Sequence, residues 1–208
     1  MHVSSKTLIA AMFGAATIIS PLALTPAQAI DLNPLSAIKG MVEAAVEDRS
    51  AEDIATDLKI KTKITAEVID KMGAEVISIS ADVYEQDVML TGLVETEQLK
   101  KKAETLTRGI AGVKALYNDI MVTPPIDRKK GAAEAFVDDT VIESKINALL
   151  LDAGGVNVTN FRWRSVQGNV FLFGRALSER ERDKAISVIR DIKNVASLTS
   201  RVKIRPKK

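Results

Sequence analysis

One stretch of this chain is written twice, and that limits what it can fold into more than any other feature. Residues Thr56–Val122, moved forward by 82 positions, fall on Asp138–Ile204 without a gap, and 18 of the 67 pairs are identical. They include Asp57/Asp139, Ile60/Ile142, Ile64/Ile146, Val88/Val170, Leu90/Leu172, Gly92/Gly174 and Ala103/Ala185. Apolar character also holds at Val68/Leu150, Ile79/Phe161 and Ile120/Val202. A repeat of this length is a folded unit and not a solenoid element, since two copies account for the globular chain. Each copy is close to the smallest size at which a domain buries enough surface to fold alone, so the copies are expected to lean on each other or on flanking segments.

Composition removes most catalytic chemistry. The chain has no cysteine, and its only histidine is His2. Disulfides, thiolate nucleophiles, His-ligated zinc and a Ser-His-Asp triad are therefore excluded, and neither a cofactor nor a metal is expected. No carboxylate pair has a spacing that recommends a hydrolase. Net charge is +2 overall but divided: residues 30–123 carry 11 Lys+Arg against 17 Asp+Glu, and residues 124–208 carry 17 against 10. The halves are thus −6 and +7, which suits either attraction between two domains or a second domain adapted to an anionic surface.

Residues 1–29 read as a signal peptide. Lys6 supplies the charge, Leu8–Ile19 the apolar core, and Ala27-Gln28-Ala29 the cleavage site. The mature chain is expected to be periplasmic and, lacking a cysteine to acylate, not lipid-anchored. Residues 30–52 are read as an N-terminal helical segment, with Leu35, Ile38, Val42, Ala45 and Val46 at helical spacing and Glu43, Glu47 and Asp48 on its polar side. That charge is the wrong sign for anionic lipid, so the segment is expected to pack on the first domain or on a partner.

The fold class is α+β: two tandem αββαβ domains at 53–123 and 138–205, each a three-stranded sheet with two helices on one face. A mobile linker, 124–137, joins them, and 206–208 is a tail. In the first copy Ile60, Ile64 and Val68 mark the core face of the opening helix; in the second, Ile142, Ile146, Leu149 and Leu150 do so behind a Thr140-x-x-Glu143 capping box. The hairpin turns, Glu85-Gln86-Asp87 and Gln167-Gly168-Asn169, are expected to differ in type because only the second has a glycine. The strand glycines Gly92 and Gly174 are read as permitting a bend or a close approach.

Each copy resembles a BON domain. The marks are Val88-Met89-Leu90-Thr91-Gly92 and Val170-Phe171-Leu172-Phe173-Gly174, then Glu97 or Glu179 and Ala103 or Ala185. The first copy closes on Gly112-Val113 and Asn118-Asp119-Ile120-Met121-Val122; the second departs, with Asn194 and Ser200 at the Gly112 and Asn118 positions. The resemblance implies a dual-BON envelope protein: a non-enzymatic module that binds phospholipid or envelope proteins and supports envelope integrity under osmotic or other stress.

Two surfaces are candidates for binding. On the first helix of the second domain, Val141, Lys145, Ala148 and Leu151 set apolar groups beside a cation, as an anionic membrane requires. On the sheet, Arg162, Arg164, Phe171 and Phe173 share the open face if Val170 and Leu172 face the helices; the patch suits lipid headgroups or docking onto the acidic first domain. Trp163, in phase with Phe161, is read as core. The alternative function is a chaperone-like periplasmic stress protein that holds unfolded or partner proteins on an open sheet face. Nucleic acid is not an expected partner.

Overall fold

The computed structural model describes residues 47–73, 79–123 and 131–206. The expected leader and most of the expected N-terminal helical segment lie outside the described residues.

The first repeat runs α1 (Ala51–Met72), β1 (Ser80–Tyr84), β2 (Asp87–Thr91), β3 (Leu93–Val94), α2 (Glu97–Arg108), β4 (Ala115–Asn118) and β5 (Met121–Val122). The second runs α3 (Gly131–Asp152), a 3-10 turn at Val158–Asn160, β6 (Phe161–Val166), β7 (Asn169–Ala176), α4 (Glu179–Arg190) and β8 (Ser197–Ile204). Each sheet has one topology: an antiparallel hairpin, then a helical crossover that lays the last strand parallel to the second, in the orders β1-β2-β4 and β6-β7-β8. The strand pair β3–β5 carries the first ladder past Gly92. The chain is therefore α+β with the same unit built twice.

Period-two alternation fills each core from one sheet face. In the first unit Val83, Val88, Leu90 and Val94 meet Ile60, Ile64 and Val68 of α1 and Ala103 of α2. In the second, Phe161, Val170, Leu172 and Ala176 meet Ile142, Ile146 and Leu150 of α3 and Ala185 and Ile189 of α4. Trp163 packs at the edge of this second core and donates its indole N–H to the Glu143 carbonyl at 3.3 Å.

The hairpin turns are alike, contrary to the expectation from their sequences. Both are two-residue turns with positive φ at each position: 50° and 65° at Glu85 and Gln86, 51° and 76° at Gln167 and Gly168. The reason lies in the opening helices. The Asp57 carboxylate accepts the N–H groups of Glu85 and Gln86, both at 2.7 Å, and Asp139 accepts those of Gln167 and Gly168 at 2.7 and 2.8 Å. A carboxylate that takes both turn donors offsets left-handed backbone, so glycine is not required. This clamp also gives the Asp57/Asp139 identity a physical role. Asn194 replaces Gly112 by the same tolerance: both have positive φ, 74° and 99°, and Asn is among the few side chains that visit that region readily. At Gly174 the constraint is absolute, since φ is 113° and a Cβ would lie 2.2 Å from the Asn160 carbonyl oxygen.

Three local expectations need correction. Helix α3 begins at Gly131, inside the stretch read as a mobile linker, because Ala132, Ala133 and Ala135 are strong helix formers. Thr140 is consequently interior to that helix and not its cap, and Glu143 instead accepts the Ser165 N–H at 2.9 Å. Leu149 is 44% exposed and is not part of the core face, which Leu150 occupies.

Replacing Asp139 by Ala strands two turn N–H groups and the Ser165 hydroxyl it accepts at 2.6 Å. The expected cost is about 1–3 kcal/mol, seen as a lower urea midpoint at unchanged slope.

Candidate functional site

The sheet face turned away from the helices is not open. Tyr84 and Met89 of the first unit, with Leu93, Tyr117 and Met121 packed around them, meet Val166, Phe171 and Phe173 of the second in a third apolar cluster. Phe173 is 1% exposed and Phe171 7%, and the Tyr117 and Phe173 rings meet edge-on with centroids 6.1 Å apart. The two domains thus stack sheet on sheet. Arg162, Arg164, Phe171 and Phe173 do share this face, and it is turned to the first domain and the strap before it.

Charges ring the apolar cluster with opposite signs on the two sides. Arg164 holds Asp82 at 3.0 Å, Arg201 holds Asp119 at 2.7 Å, Lys203 holds Asp87 at 2.5 Å, and Arg175 holds Glu85 at 2.9 Å. Arg205 spans Glu85 and Asp87. The pairs Asp82–Arg164 and Asp119–Arg201 join positions related by the repeat shift itself, so the interface has an internal two-fold character. The relation extends to a ladder of alternating sign: Lys61 lies 3.7 Å from Asp82, Asp82 contacts Arg164, and Arg164 lies 3.9 Å from Glu143. Lys61 and Glu143 are again shift-related, with signs reversed. Burial raises the Asp82 carboxyl, but Arg164 and Lys61 outweigh it and leave Asp82 below its ordinary value. For Glu143 burial prevails and pushes the carboxyl up.

A strap completes the seam. Glu47, Asp48 and Arg49 precede the first repeat yet contact both domains. Arg49 pairs with Asp57 at 2.6 Å and lies 4.2 Å over the Tyr84 ring, while Glu47 bonds Arg162 of the second domain. The Asp48 carboxylate accepts from Asn157 and Asn160 at 3.0 and 2.8 Å, and Asn160 also accepts the Tyr84 hydroxyl at 2.9 Å. Sequence reasoning missed the strap and the acids Asp82, Glu85, Asp87 and Asp119. For two of the acids a usable signal was present: Asp82 and Asp119 become Arg164 and Arg201 under the repeat shift, so the sign of the charge inverts at matched positions.

The helix face read as lipid-binding stays outside. Val141 is 45% exposed and Leu151 63%, and Lys145 and Ala148 are exposed between them. Beside that face, between α3 and the edge strand β6, runs an open groove of about 400 Å³. Thr140, Ser144 and Asn147 form its helix wall, and Phe161 and Trp163 its apolar side. Among the described residues there is no cluster of metal-ligating side chains, and no helix is long and apolar enough to cross a membrane.

This geometry is that of a tandem of small α+β modules joined face to face, and comparison with known proteins gives the class. The BON domain family model matches residues 56–124 and 138–206, so the chain belongs to the BON-domain family, one domain per repeat. It is 26% identical over 149 residues to Osmotically-inducible protein Y of Escherichia coli, covering 72% of this chain and 73% of that one. It is 28% identical over 123 residues to the outer membrane lipoprotein DolP of Haemophilus influenzae, covering 59% and 60%. A protein from the gshII 5' region of Anaplasma centrale is 29% identical over 131 residues, covering 63% of this chain and 84% of its own.

Two outcomes test the seam. Asp119→Arg sets two guanidiniums together and is expected to cost about 1–2 kcal/mol, after allowing for solvent at Arg201; adding Arg201→Asp restores stability in a double-mutant cycle. Because the folded Asp82 carboxyl is depressed, its contribution is complete above the unfolded value of about 3.9 and is lost as pH falls through the lower folded value. Acid titration followed by small-angle scattering should therefore show the domains separating only below roughly pH 4.

Proposed function

We propose that this chain is an exported, non-enzymatic module of the cell envelope whose second domain rests on anionic phospholipid through the outer face of α3. One observation carries the reading. Among the described residues the large apolar side chains left exposed are Leu58 of α1 and Val141, Leu149 and Leu151 of α3, at 64%, 45%, 44% and 63%. Three of the four stand on one helix, with Lys145 among them. Surface apolar groups scattered singly need no explanation, but a cluster on one helix marks an interaction surface.

The contact is peripheral and reversible. Val141, Ala148 and Leu151 enter the interfacial layer, and Lys145 meets lipid phosphate, a basic contact that contributes on the order of 1 kcal/mol near an anionic surface. Asp152 closes the same face and subtracts from that attraction, so apolar insertion supplies most of the affinity and salt weakens only the remainder. An export signal at 1–29, and relatives that include an outer membrane lipoprotein and an osmotically inducible protein, support a periplasmic role in envelope integrity under osmotic stress. Lacking cysteine, the chain reaches the membrane by this face and not by a lipid anchor. The alternative reading, client proteins held on an open sheet face, loses its surface because Phe171, Phe173, Met89 and Tyr84 are buried against one another.

Flotation with vesicles containing phosphatidylglycerol, set against purely zwitterionic vesicles, tests the reading. Binding to the anionic vesicles is expected at low salt, and Val141→Glu with Lys145→Glu should weaken it at least about tenfold, equivalent to 1.4 kcal/mol. No flotation of the wild-type chain at low salt removes the proposal.

A further inference from the structure

The edge of the second sheet carries a binding mode that neither the seam nor the outer helix uses. We infer that the groove between α3 and β6 takes an extended segment of a partner polypeptide as one more antiparallel strand. That segment pairs with the backbone of Trp163 and reads acid, apolar, acid across the pairing position.

The register of β6 decides which backbone groups face outward. Val166 and Asn169 flank a two-residue turn and so exchange hydrogen bonds. The alternation of an antiparallel ladder then turns the groups of Arg162, Arg164 and Val166 toward β7, and those of Phe161, Trp163 and Ser165 away from it. An outward edge is a template for pairing, and proteins ordinarily blunt it. Both ends of this one are blunted. The Phe161 N–H donates to the Val158 carbonyl, and the Phe161 carbonyl accepts the Arg162 guanidinium at 2.8 Å. The Ser165 N–H is taken by the Glu143 carboxylate at 2.9 Å. Between these ends Trp163 presents its N–H and C=O to the groove. A single residue of an added antiparallel strand satisfies both groups.

The walls set the length and the chemistry of that strand. Thr140, Ser144 and Asn147 line the helix side over about 10 Å, which is the length of three extended residues. The central side chain of the strand falls on the same face as the Trp163 indole, which lines the groove and packs on the second core, so an apolar group belongs there. Its two neighbours fall on the other face, beside Arg162 and Arg164. The acids that hold these arginines are sunk, Glu47 at 2% and Asp82 at 5% exposure, whereas the arginines are 24% and 36% exposed. A guanidinium has five donors, so each arginine can keep its present carboxylate and bond a second. A second copy of this chain is a poor occupant. Pairing β6 with itself about Trp163 sets Arg162 against Arg164 across the two strands, like charge opposite like. At the matched positions of the first repeat Trp163 is Ala81 and Glu143 is Lys61, so the indole and the cap belong to the second domain alone. The groove lies beside the Val141–Leu151 face and not on it, and the inference does not depend on lipid binding.

Trp163 is the only tryptophan, so the groove carries its own probe. The full chain is titrated with a blocked pentapeptide that has leucine between two aspartates and glycine at each end. Amide hydrogen exchange read by NMR should slow at Trp163 at least about fivefold at saturation, and the indole emission should shift to the blue. Methylating the leucine nitrogen strands the Trp163 carbonyl and is expected to weaken binding at least about tenfold; lysines in place of the aspartates should do the same. Ser144 is exposed on α3, so Ser144→Phe plugs the groove while the urea midpoint holds, and it should abolish the protection. No slowing at Trp163 overturns the inference, as does binding indifferent to the methyl group or to the charge reversal, or protection that persists in Ser144→Phe. Protection by a neutral trisaccharide and not by the peptide also overturns it, by making the groove a saccharide site.

Discussion

Everything in this molecule depends on two sheets pairing through faces of opposite charge. Each BON unit leaves one sheet face uncovered by its helices, and neither is large enough to leave that face wet at no cost. The solution is to bury Tyr84, Met89, Phe171 and Phe173 against one another and to ring them with ion pairs. Burying charge this way is seldom a large gain over apolar contact, because desolvation opposes the attraction. Its value lies in selection of the partner. Positions related by the repeat shift face each other at Asp82–Arg164 and Asp119–Arg201, so an unmodified duplicate would set like charges together at both. Inverting the sign in the second copy favours one domain closing on its neighbour in the same chain. It also penalises two first domains, or two second domains, meeting from separate chains.

That closure decides which surfaces are left for function. The aromatic patch that looks most like a binding site in the sequence is consumed inside the protein. What remains outward are the helices. Between the opening helices of the two repeats the difference is plain at matched positions: Lys59 against Val141, and Glu67 against Leu149. The first helix presents charge where the second presents apolar side chains, although both carry the same core face within. Divergence at those positions costs the fold nothing, which is the freedom a duplicated domain has on its solvent side.

Much of the fold was legible because its signals are local and repeated. Strand alternation placed Val170 and Leu172 inward and Phe171 and Phe173 together on the opposite face, and the 82-residue shift required both units to be alike. The turns were misread because turn preference was judged from Glu85-Gln86 alone, while a carboxylate 28 residues upstream, Asp57, governs their geometry. The start of α3 was misread for a related reason. Polar and small residues near Gly131 suggest a linker, yet helix propagation from the well-packed face at Ile142, Ile146 and Leu150 favours extension upstream. The strap lay beyond reach of pattern reading altogether, since Glu47-Asp48-Arg49 acquires meaning only from Asn157, Asn160 and Arg162 more than a hundred residues away.

The same long-range contacts explain why the seam and the outer helix are one mechanical unit. Glu143 sits on α3, accepts the Ser165 N–H of β6, and ends the charge ladder that starts at Lys61 of α1. Trp163 fixes α3 from the other direction through its bond to the Glu143 carbonyl. Strand β6 in turn carries Arg162 and Arg164, which hold the strap and the first domain. The helix presenting Val141 and Leu151 is therefore held by the edge strand that closes the interface, so its orientation relative to the first domain is set by the ion pairs and not by the linker. A rigid tandem can hold one helix face flat against a surface while the opposite end of the molecule stays clear of it, which two domains on a free tether cannot do.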